Sequence, residues 1–202
     1  MNKKKVAIGL VIVIACAGVG LGVFLFYKSS YDLPAGQDPS LAMPFTDATH
    51  LHIIQGFGQI SSTFYHNGID FGFNDTTQIL APCAAHVMDV KFWYNDKGGH
   101  WQTNVRLQLN QQWMQEIVFE SWATNQSLGQ QQADAIVVKQ GDKLQQGQVI
   151  GNLLSQGTGC HIHFGLLSNN NAVCPYSYFS PQAKAAFDGY FTKYNSTASV
   201  CV

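Results

Sequence analysis

The clearest alternation of apolar and polar residues in this chain runs from His161 to Leu166. Ile162, Phe164 and Leu166 alternate with two histidines and a glycine, and successive side chains of a β-strand point to opposite faces. The pattern predicts a strand that packs one face on a core and presents His161 and His163 on the other.

A second segment, from His66 to Asp70, places two more candidate ligands at strand spacing. Residues i, i+2 and i+4 of a strand share a face, so we expect His66 and Asp70 on one side, with only the hydrogen of Gly68 between them. The missing side chain at Gly68 leaves room for an ion.

Most of the remaining pattern is also typical of strands. Residues 105–109 and 116–119 predict two strands, and the polar residues 110–112 between them predict the turn of a hairpin. Val149–Leu153 predicts a strand that follows Gly-containing turns. The expected fold is therefore all-β.

Two segments near these strands have a different pattern. Gln126–Asp134 is rich in glutamine and is predicted to be a loop. Residues 181–190 predict a short C-terminal helix, because Ser180 is a suitable N-cap and Pro181 is favoured at the first helical position.

The N-terminal region predicts a transmembrane helix. Lys3 to Lys5 precede an uncharged run over residues 6–27, which as a helix would be about 33 Å long, enough to span a hydrocarbon core of about 30 Å. The lysines are expected to stay in the cytoplasm, which places the rest of the protein on the extracytoplasmic side of the membrane.

Two alternatives to this anchor stay open at this point. A cleaved signal peptide would have a shorter apolar region and small residues at a cleavage site. Residues 13–16 (Val-Ile-Ala-Cys) also resemble a lipoprotein lipobox, although the sequence after Cys16 stays apolar where a polar tether is usual.

The domain boundaries follow from these segments and from a Pro-containing stretch after the membrane segment. We predict a membrane anchor at residues 1–28, a tether at 29–45, the main domain at 46–174, and an extension with a short helix at 175–202.

The composition fits an exported protein with an uncharged polar surface. Charged residues make up 11% of the 202 residues, against about 25% in a typical soluble protein. The formal net charge of -1 gives no electrostatic basis for binding nucleic acid, so we expect no nucleic-acid partner.

Cysteine use agrees with export. Outside the apolar N-terminal run, the chain has four cysteines, Cys83, Cys160, Cys174 and Cys201, and no Cys-x-x-Cys motif typical of a zinc site. We expect all four to form disulfides, with three connectivities open, and a bridge at Cys160 would brace the strand that follows it.

The histidines and aspartate in the two strand segments predict a metal site. Three His or Asp ligands with a fourth position left for water are typical of catalytic zinc. Taken alone, each segment is more typical of surface histidines or hydrogen-bonded core histidines than of a metal site, but their occurrence together favours the metal site.

Four sequence blocks resemble the lysostaphin or LytM-type zinc metallopeptidases. They are HNGIDFG (66–72), QILAPCAAHVMDV (78–90), GDKLQQGQVIGNL (141–153) and GTGCHIHFGLL (157–167), and the resemblance covers roughly residues 55–168.

This resemblance implies an antiparallel two-sheet β domain with one zinc ion in an open groove. It implies that His66, Asp70 and His163 hold zinc and that His161 is catalytic. Members of the family typically cut peptide cross-links of peptidoglycan, with a zinc-bound water as the nucleophile.

One departure from the family pattern concerns a second catalytic histidine, usually found in a Tyr-x-His-Leu block. The corresponding stretch, residues 117–123, has no histidine, and aligning Phe119 with the tyrosine puts Ser121 at the histidine position. Glu120 is either a catalytic general base or an exposed strand residue. His86 or His100 could fill this place from elsewhere in the fold, but each is more typical of a loop or strand-surface histidine.

Two functions follow from these observations. The first is a membrane-anchored, extracytoplasmic zinc metalloendopeptidase that acts on peptidoglycan or a similar cross-linked peptide, with His161 and Glu120 as catalytic residues. The second is a catalytically impaired pseudoenzyme that binds wall peptide or a partner protein in the same groove. The metal ligands and His161 favour the first, and the missing histidine favours the second.

Overall fold

The computed structural model describes residues 33–201. The predicted anchor at residues 1–28 lies outside this range, so its helix is neither supported nor contradicted. Within residues 33–201, no helix is both long and apolar enough to cross a membrane.

Twelve strands are the main regular elements of the described chain. They are β1 (Leu51–Gln55), β2 (Gly58–Ser61), β3 (Phe64–His66), β4 (Gly68–Phe73), β5 (Thr77–Leu80), β6 (Ala85–Asn95), β7 (His100–Gln108), β8 (Trp113–Ala123), β9 (Lys143–Leu144), β10 (Val149–Leu153), β11 (His161–Ser168) and β12 (Asn171–Val173). Two α-helices, α1 (Gln126–Asp134) and α2 (Pro181–Tyr194), and a short 3₁₀ helix (Pro175–Tyr178) complete the described elements.

The main sheet is antiparallel and has the strand order β1-β4-β11-β8-β7-β6-β9, with β12 paired to β11. Two separate antiparallel ribbons, β5 with β10 and β2 with β3, lie outside this sheet. The prediction of a mainly β, antiparallel fold is confirmed. Strands β4 and β11, which carry the candidate ligands, are neighbours inside the main sheet.

The sequence patterns for the hairpin and for one single strand are also confirmed. Strands β7 and β8 pair around the turn at Asn110, whose side-chain oxygen accepts the backbone N–H groups of Gln112 and Trp113. β7 begins before its predicted start and ends at Gln108, one residue before its predicted end, whereas β8 extends beyond both predicted bounds. Strand β10 has the predicted bounds.

The apolar faces of the strands form an aromatic core closed by α2. Phe71 of β4 and Phe164 of β11 are fully buried, and the ring of Phe187 from α2 lies 6.0 Å from that of Phe71. The predicted cap is present, since the Ser180 side chain accepts the N–H of Ala183. The helix continues to Tyr194, beyond the predicted residue 190.

The expectation of a loop at Gln126–Asp134 is wrong, because these residues form α1. Glutamine is a good helix former, and the Asn125 side chain caps the helix by accepting the N–H of Leu128. Gln132 is buried, and its side chain makes two hydrogen bonds to the backbone. It donates to the Asn152 carbonyl and accepts from the N–H of Leu154.

Part of the segment predicted as a tether packs on the domain. Leu41 is fully buried and its N–H donates to the Tyr178 carbonyl. The ring of Phe45 lies 5.3 Å from that of Phe71 in the core. Folded contacts therefore begin before residue 46.

The expectation that four cysteines form disulfides is half right. Cys174 and Cys201 are bridged, whereas Cys83 and Cys160 are free and buried. Burial raises the pKa of both free thiols to about 12, and the Cys160 thiol donates to the Leu154 carbonyl. A bridge at Cys160 therefore does not brace β11.

The bridge instead fastens residues 195–201, here named the strap, alongside β1 and the following turn. The N–H of Ser196 donates to the Ile54 carbonyl, and the N–H of Phe57 donates to the Val200 carbonyl. The N–H of Gly56 donates to the Thr197 hydroxyl. The strap thus holds residues 54–57, which lead into β2.

Candidate metal centre

Three side chains from β3, β4 and β11 converge on one point. His66 Nε2 lies 3.1 Å from Asp70 Oδ1 and 3.1 Å from His163 Nδ1, and His163 Nδ1 lies 2.9 Å from Asp70 Oδ1. Four-coordinate zinc, with bonds of 2.0–2.1 Å, separates its ligand atoms by roughly 3.3 Å. The three atoms therefore fit one face of a tetrahedral zinc site.

The register of β4 and β11 brings the two sequence segments together. His163 pairs with Asp70, and residues directly opposite in an antiparallel pair point to the same face. Gly68 lies below the His163 ring, and a Cβ built on Gly68 would be 2.6 Å from its Nε2. The space left by Gly68 thus accommodates the His163 imidazole, where the sequence suggested room for an ion.

His66 is oriented by a backbone carbonyl. Its Nδ1–H donates to the Gly56 carbonyl at 2.6 Å, which directs Nε2 at Asp70 and His163. A hydrogen bond at the second ring nitrogen is the usual support of a metal-binding histidine, because it fixes the tautomer and the ring orientation. Gly56 is itself held by the strap.

The electrostatics of the group favour a cation. Burial raises the pKa of the Asp70 carboxyl, but hydrogen bonds from His163 and His66 outweigh burial and hold that pKa well below its ordinary range. Burial lowers the pKa of His66, but the hydrogen bond and charge of Asp70 outweigh it and raise that pKa. The raised pKa keeps a proton on the His66 ring beside Asp70, and a metal ion can take the place of that proton.

His161 lies beside these three side chains, and one of its ring nitrogens is hydrogen-bonded to the backbone. Its Nδ1–H donates to the Gly159 carbonyl at 2.6 Å, and its Nε2 lies 3.5 Å from Glu120 Oε1 and 3.7 Å from Asp70 Oδ2. Burial lowers the pKa of His161, but the Glu120 hydrogen bond and the Asp70 charge outweigh it and raise the pKa to about 9.

Glu120 faces the site from β8, directly opposite His161 in the β8–β11 pair. Its second oxygen, Oε2, accepts a hydrogen bond from His100 Nε2 at 2.7 Å. Burial raises the pKa of Glu120, but the hydrogen bonds from His100 and His161 outweigh it and lower the pKa to about 2. Glu120 is therefore an ionised, largely enclosed carboxylate, and the interpretation as an exposed strand residue is wrong.

His100 is the site residue that sequence reasoning assigned to the surface. It is 2% exposed, begins β7, and bonds to Glu120, so that expectation is wrong. The period-two pattern His100, Gln102, Asn104 was a signal for its position, since it puts all three side chains on one strand face. His86 lies on β6, opposite Gln108.

Ser121 does not face the site, although the alignment put it at the histidine position. Its side chain is fully buried and its hydroxyl donates to Gln156 Oε1 at 2.7 Å. The β8–β11 register explains this, because it is regular up to the pair Glu120–His161, so Glu120 shares the face of His161 and Ser121, the next residue, points to the core with Phe119. The β7–β8 pairing slips next to this point, between the pairs Trp101–Ala123 and Thr103–Phe119, and within that bulge Trp122 has φ 64°.

The fold and the site together define a class of protein: a curled antiparallel β domain with a His/Asp/His ligand group on the open face of its sheet, next to a further histidine. The sequence match is to the family described as Peptidase family M23, over residues 64–175. Because this match covers more than half of the chain, the protein belongs to peptidase family M23.

Several solved structures resemble this one. A zinc containing peptidase from Vibrio cholerae shares 19% identity, with 68% of this chain and 39% of that chain covered and a TM-score of 0.49. Helicobacter pylori Csd3 shares 21% identity, with 75% and 40% covered and a TM-score of 0.49. The chain thus spans about two fifths of these two proteins.

A mutant catalytic domain of the prophage-encoded M23 protein EnpA from Enterococcus faecalis shares 21% identity, with 68% of this chain and 97% of that domain covered and a TM-score of 0.46. A comparison with curated protein sequences gives no match.

Proposed function

We propose that this protein is a zinc metalloendopeptidase that cuts peptide cross-links of peptidoglycan or a similar cross-linked peptide. The observation that carries the proposal is the convergence of His66 Nε2, Asp70 Oδ1 and His163 Nδ1 within 3.1 Å of one another, directly beside His161. Membership of peptidase family M23 supports the same reaction class.

Zinc is the metal that this donor set suits. Two imidazoles and one carboxylate, with room for a further ligand, are typical of catalytic zinc sites. Zinc bound there would supply Lewis-acid activation of water and of the substrate carbonyl. The residues proposed to hold the ion are His66, Asp70 and His163.

The proposed role of His161 is to hold and transfer a proton at Nε2. The Gly159 carbonyl occupies Nδ1, so Nε2 is the nitrogen that the ring presents to the substrate side of the ligand group. A donor at this place is suited to stabilise the charge that develops on a cleaved amide.

Glu120 is proposed as the carboxylate that fixes the position of His161. Both of its oxygens already lie close to imidazole nitrogens, Oε1 to His161 and Oε2 to His100. A carboxylate so engaged is a weak base, because efficient general bases have a pKa near the working pH. This role replaces the general-base role suggested by the sequence.

The predicted membrane anchor also belongs to this proposal. Lys3 to Lys5 and the uncharged residues 6–27 support an anchor with the domain on the extracytoplasmic side. The Cys174–Cys201 disulfide supports an oxidising compartment. The substrate would then lie within reach of the membrane face of the wall.

The test is digestion of purified peptidoglycan by the full chain in detergent, with mass spectrometry of the released fragments. We expect fragments whose release stops with a chelator and returns with zinc. His161→Ala should lower turnover by roughly 10² to 10⁴ while zinc stays bound. His52→Ala, which changes an exposed histidine on β1, is the matched control.

A second candidate is a zinc-binding module that holds wall peptide without cutting it. The observation that favours it is that β8 presents the Glu120 carboxylate to the site, whereas the family pattern has a histidine in this stretch of the chain. Retained peptidoglycan binding with no chelator-sensitive release from any wall type would establish this candidate and contradict the peptidase.

A further inference from the structure

We infer that His100 is a positioning residue of this site, which supplies from β7 the imidazole that β8 lacks and holds the Glu120 carboxylate toward His161. The inference rests on the proposed function, since it concerns how this site performs peptide hydrolysis. It adds a residue from outside the four sequence blocks that carry the family resemblance.

One carboxylate connects two imidazoles. His100 Nε2 lies 2.7 Å from Glu120 Oε2, and His161 Nε2 lies 3.5 Å from Oε1 of the same carboxylate. Glutamate has three rotatable side-chain bonds, so a strong hydrogen bond to one oxygen restricts the direction of the other. His100 thereby sets where Glu120 meets His161.

The surroundings of His100 are shaped around its ring. The Trp122 ring stacks on it with centroids 4.2 Å apart and an interplanar angle of 21°. On the chain just before it, Gly98 approaches so closely that a Cβ there would lie 2.4 Å from His100 Cε1. A histidine on a solvated strand face has no need of such an enclosure.

Trp122 connects this enclosure to His161. Its backbone is in the left-handed region at φ 64°, which is uncommon for a bulky residue and is found where surrounding structure enforces it. A Cβ on Gly159 would lie 2.5 Å from the Trp122 ring, and the Gly159 carbonyl holds His161 Nδ1. His100, Trp122, Gly159, His161 and Glu120 therefore form a closed frame.

We therefore expect turnover to depend on whether the side chain at position 100 is long enough to donate a hydrogen bond to Glu120. Groups that orient a catalytic or metal-binding side chain typically change activity by 10- to 100-fold when they are removed. The frame comes near the three proposed ligands only where His161 Nε2 lies 3.7 Å from Asp70 Oδ2, and His100 itself bonds to Glu120, so a change at position 100 should leave metal binding unaffected.

The experiment compares His100→Gln with His100→Asn in the full chain. Both are neutral amides, but only glutamine places its N–H close to the position of histidine Nε2. We expect His100→Asn to lower kcat about 10- to 100-fold with KM and zinc content unchanged, and His100→Gln to retain most of kcat. His52→Gln on β1 is the control, and thermal unfolding checks that each variant is folded.

A second readout does not depend on activity. In protein with ¹⁵N-labelled histidine, the His161 Nε2 resonance should shift in His100→Asn and stay close to the wild-type position in His100→Gln and His52→Gln.

The outcomes separate the two proposals. If the wild type cleaves peptidoglycan and His100→Asn and His100→Gln have equal turnover, the inference is overturned and the proposed function stays intact. If the wild type releases no fragments, the proposed function fails, and the His161 resonance decides the positioning role alone. A resonance that is the same in His100→Asn and His100→Gln would overturn that role.

Discussion

At the scale of single residues, the site depends on Gly68 as much as on its ligands. His66 ends β3 and Asp70 lies on β4, so the two are not on one continuous strand as predicted. The sequence nevertheless predicted that their side chains meet across Gly68, and they do. It could not show what fills the gap, since the His163 ring arrives from a strand 95 residues later in the chain. Strand periodicity predicts the direction in which a side chain points, whereas the pairing of distant strands determines which side chain lies next to it.

Gly68→Ala should therefore lower zinc affinity by at least about tenfold, because loss of ligand support typically has effects of 10- to 100-fold. The new Cβ would lie 2.6 Å from His163 Nε2 and Cε1, so the ring must move. Competition with a chromogenic chelator measures the affinity.

Gly189→Ala is the matched control, since no atom lies within 4 Å of a Cβ at that helical position. It should leave zinc affinity unchanged and stabilise α2 by up to about 1 kcal/mol. Equal zinc affinity in Gly68→Ala and wild type would contradict this account of the glycine.

Ser121→His tests the alignment that put a histidine at this position. Because the Ser121 side chain points into the interior and donates to Gln156, an imidazole there should overpack the core and cost about 1–3 kcal/mol of unfolding free energy. We expect a lower Tm and no gain of activity. Ser127→His, at an exposed position of α1, is the control and should change neither Tm nor activity. Increased turnover in Ser121→His would contradict this account, because it would show that the side chain at position 121 reaches the site.

At the scale of elements, the sequence predicted strands better than their irregularities. β10, the β7–β8 hairpin and the capped helix α2 follow from period-two alternation, a polar turn and a Ser-Pro start. The β8 bulge has no such signal, because it arises from the pairing of β8 with β7. The choice between Glu120 and Ser121 instead follows from which face of β8 meets β11: Glu120 pairs with His161, and Ser121 lies on the core face with Phe119.

The strap makes an element-scale prediction about the disulfide. Cys174 and Cys201 are 27 residues apart, and closing a loop of that size stabilises a fold by roughly 3–4 kcal/mol in the chain-entropy account. Cys201→Ser should lower the free energy of unfolding by about that amount. It should also weaken zinc binding, because the strap holds Gly56, whose carbonyl orients His66.

Chemical denaturation and chelator competition measure the two effects. Cys83→Ala removes a buried thiol that is in no disulfide, so it should leave zinc affinity unchanged. Zinc affinity that is identical in Cys201→Ser and wild type would separate the strap from the metal site.

At the scale of the whole molecule, two distant parts of the chain meet at the candidate metal centre. The ligands come from β3, β4 and β11, and their apolar neighbours Phe71 and Phe164 reach into the core that α2 closes. A metal bound at such a junction binds the folded state and not the unfolded chain. It should therefore stabilise the domain as a unit.

Zinc at 100 times its dissociation constant should add about 2.7 kcal/mol to the free energy of unfolding. Differential scanning calorimetry should show a higher Tm with zinc and a lower Tm after chelation. His163→Ala removes one ligand and should abolish this difference, whereas His52→Ala should keep it. A Tm that does not respond to zinc in the wild type would contradict a metal site at this junction.

The strap also implies that the parts of the candidate metal centre are put in place in a fixed order. His66 is synthesised early, but the segment that steadies the Gly56 carbonyl is made more than 120 residues later, and Cys201 must still be oxidised to fasten it. Cytoplasmic thiol pools keep such cysteines reduced. A chain in which residues 195–201 have not been made, or in which Cys201 is still reduced, therefore lacks the brace that fixes His66, and a metal bound at the candidate centre would be held less firmly until Cys201 is oxidised.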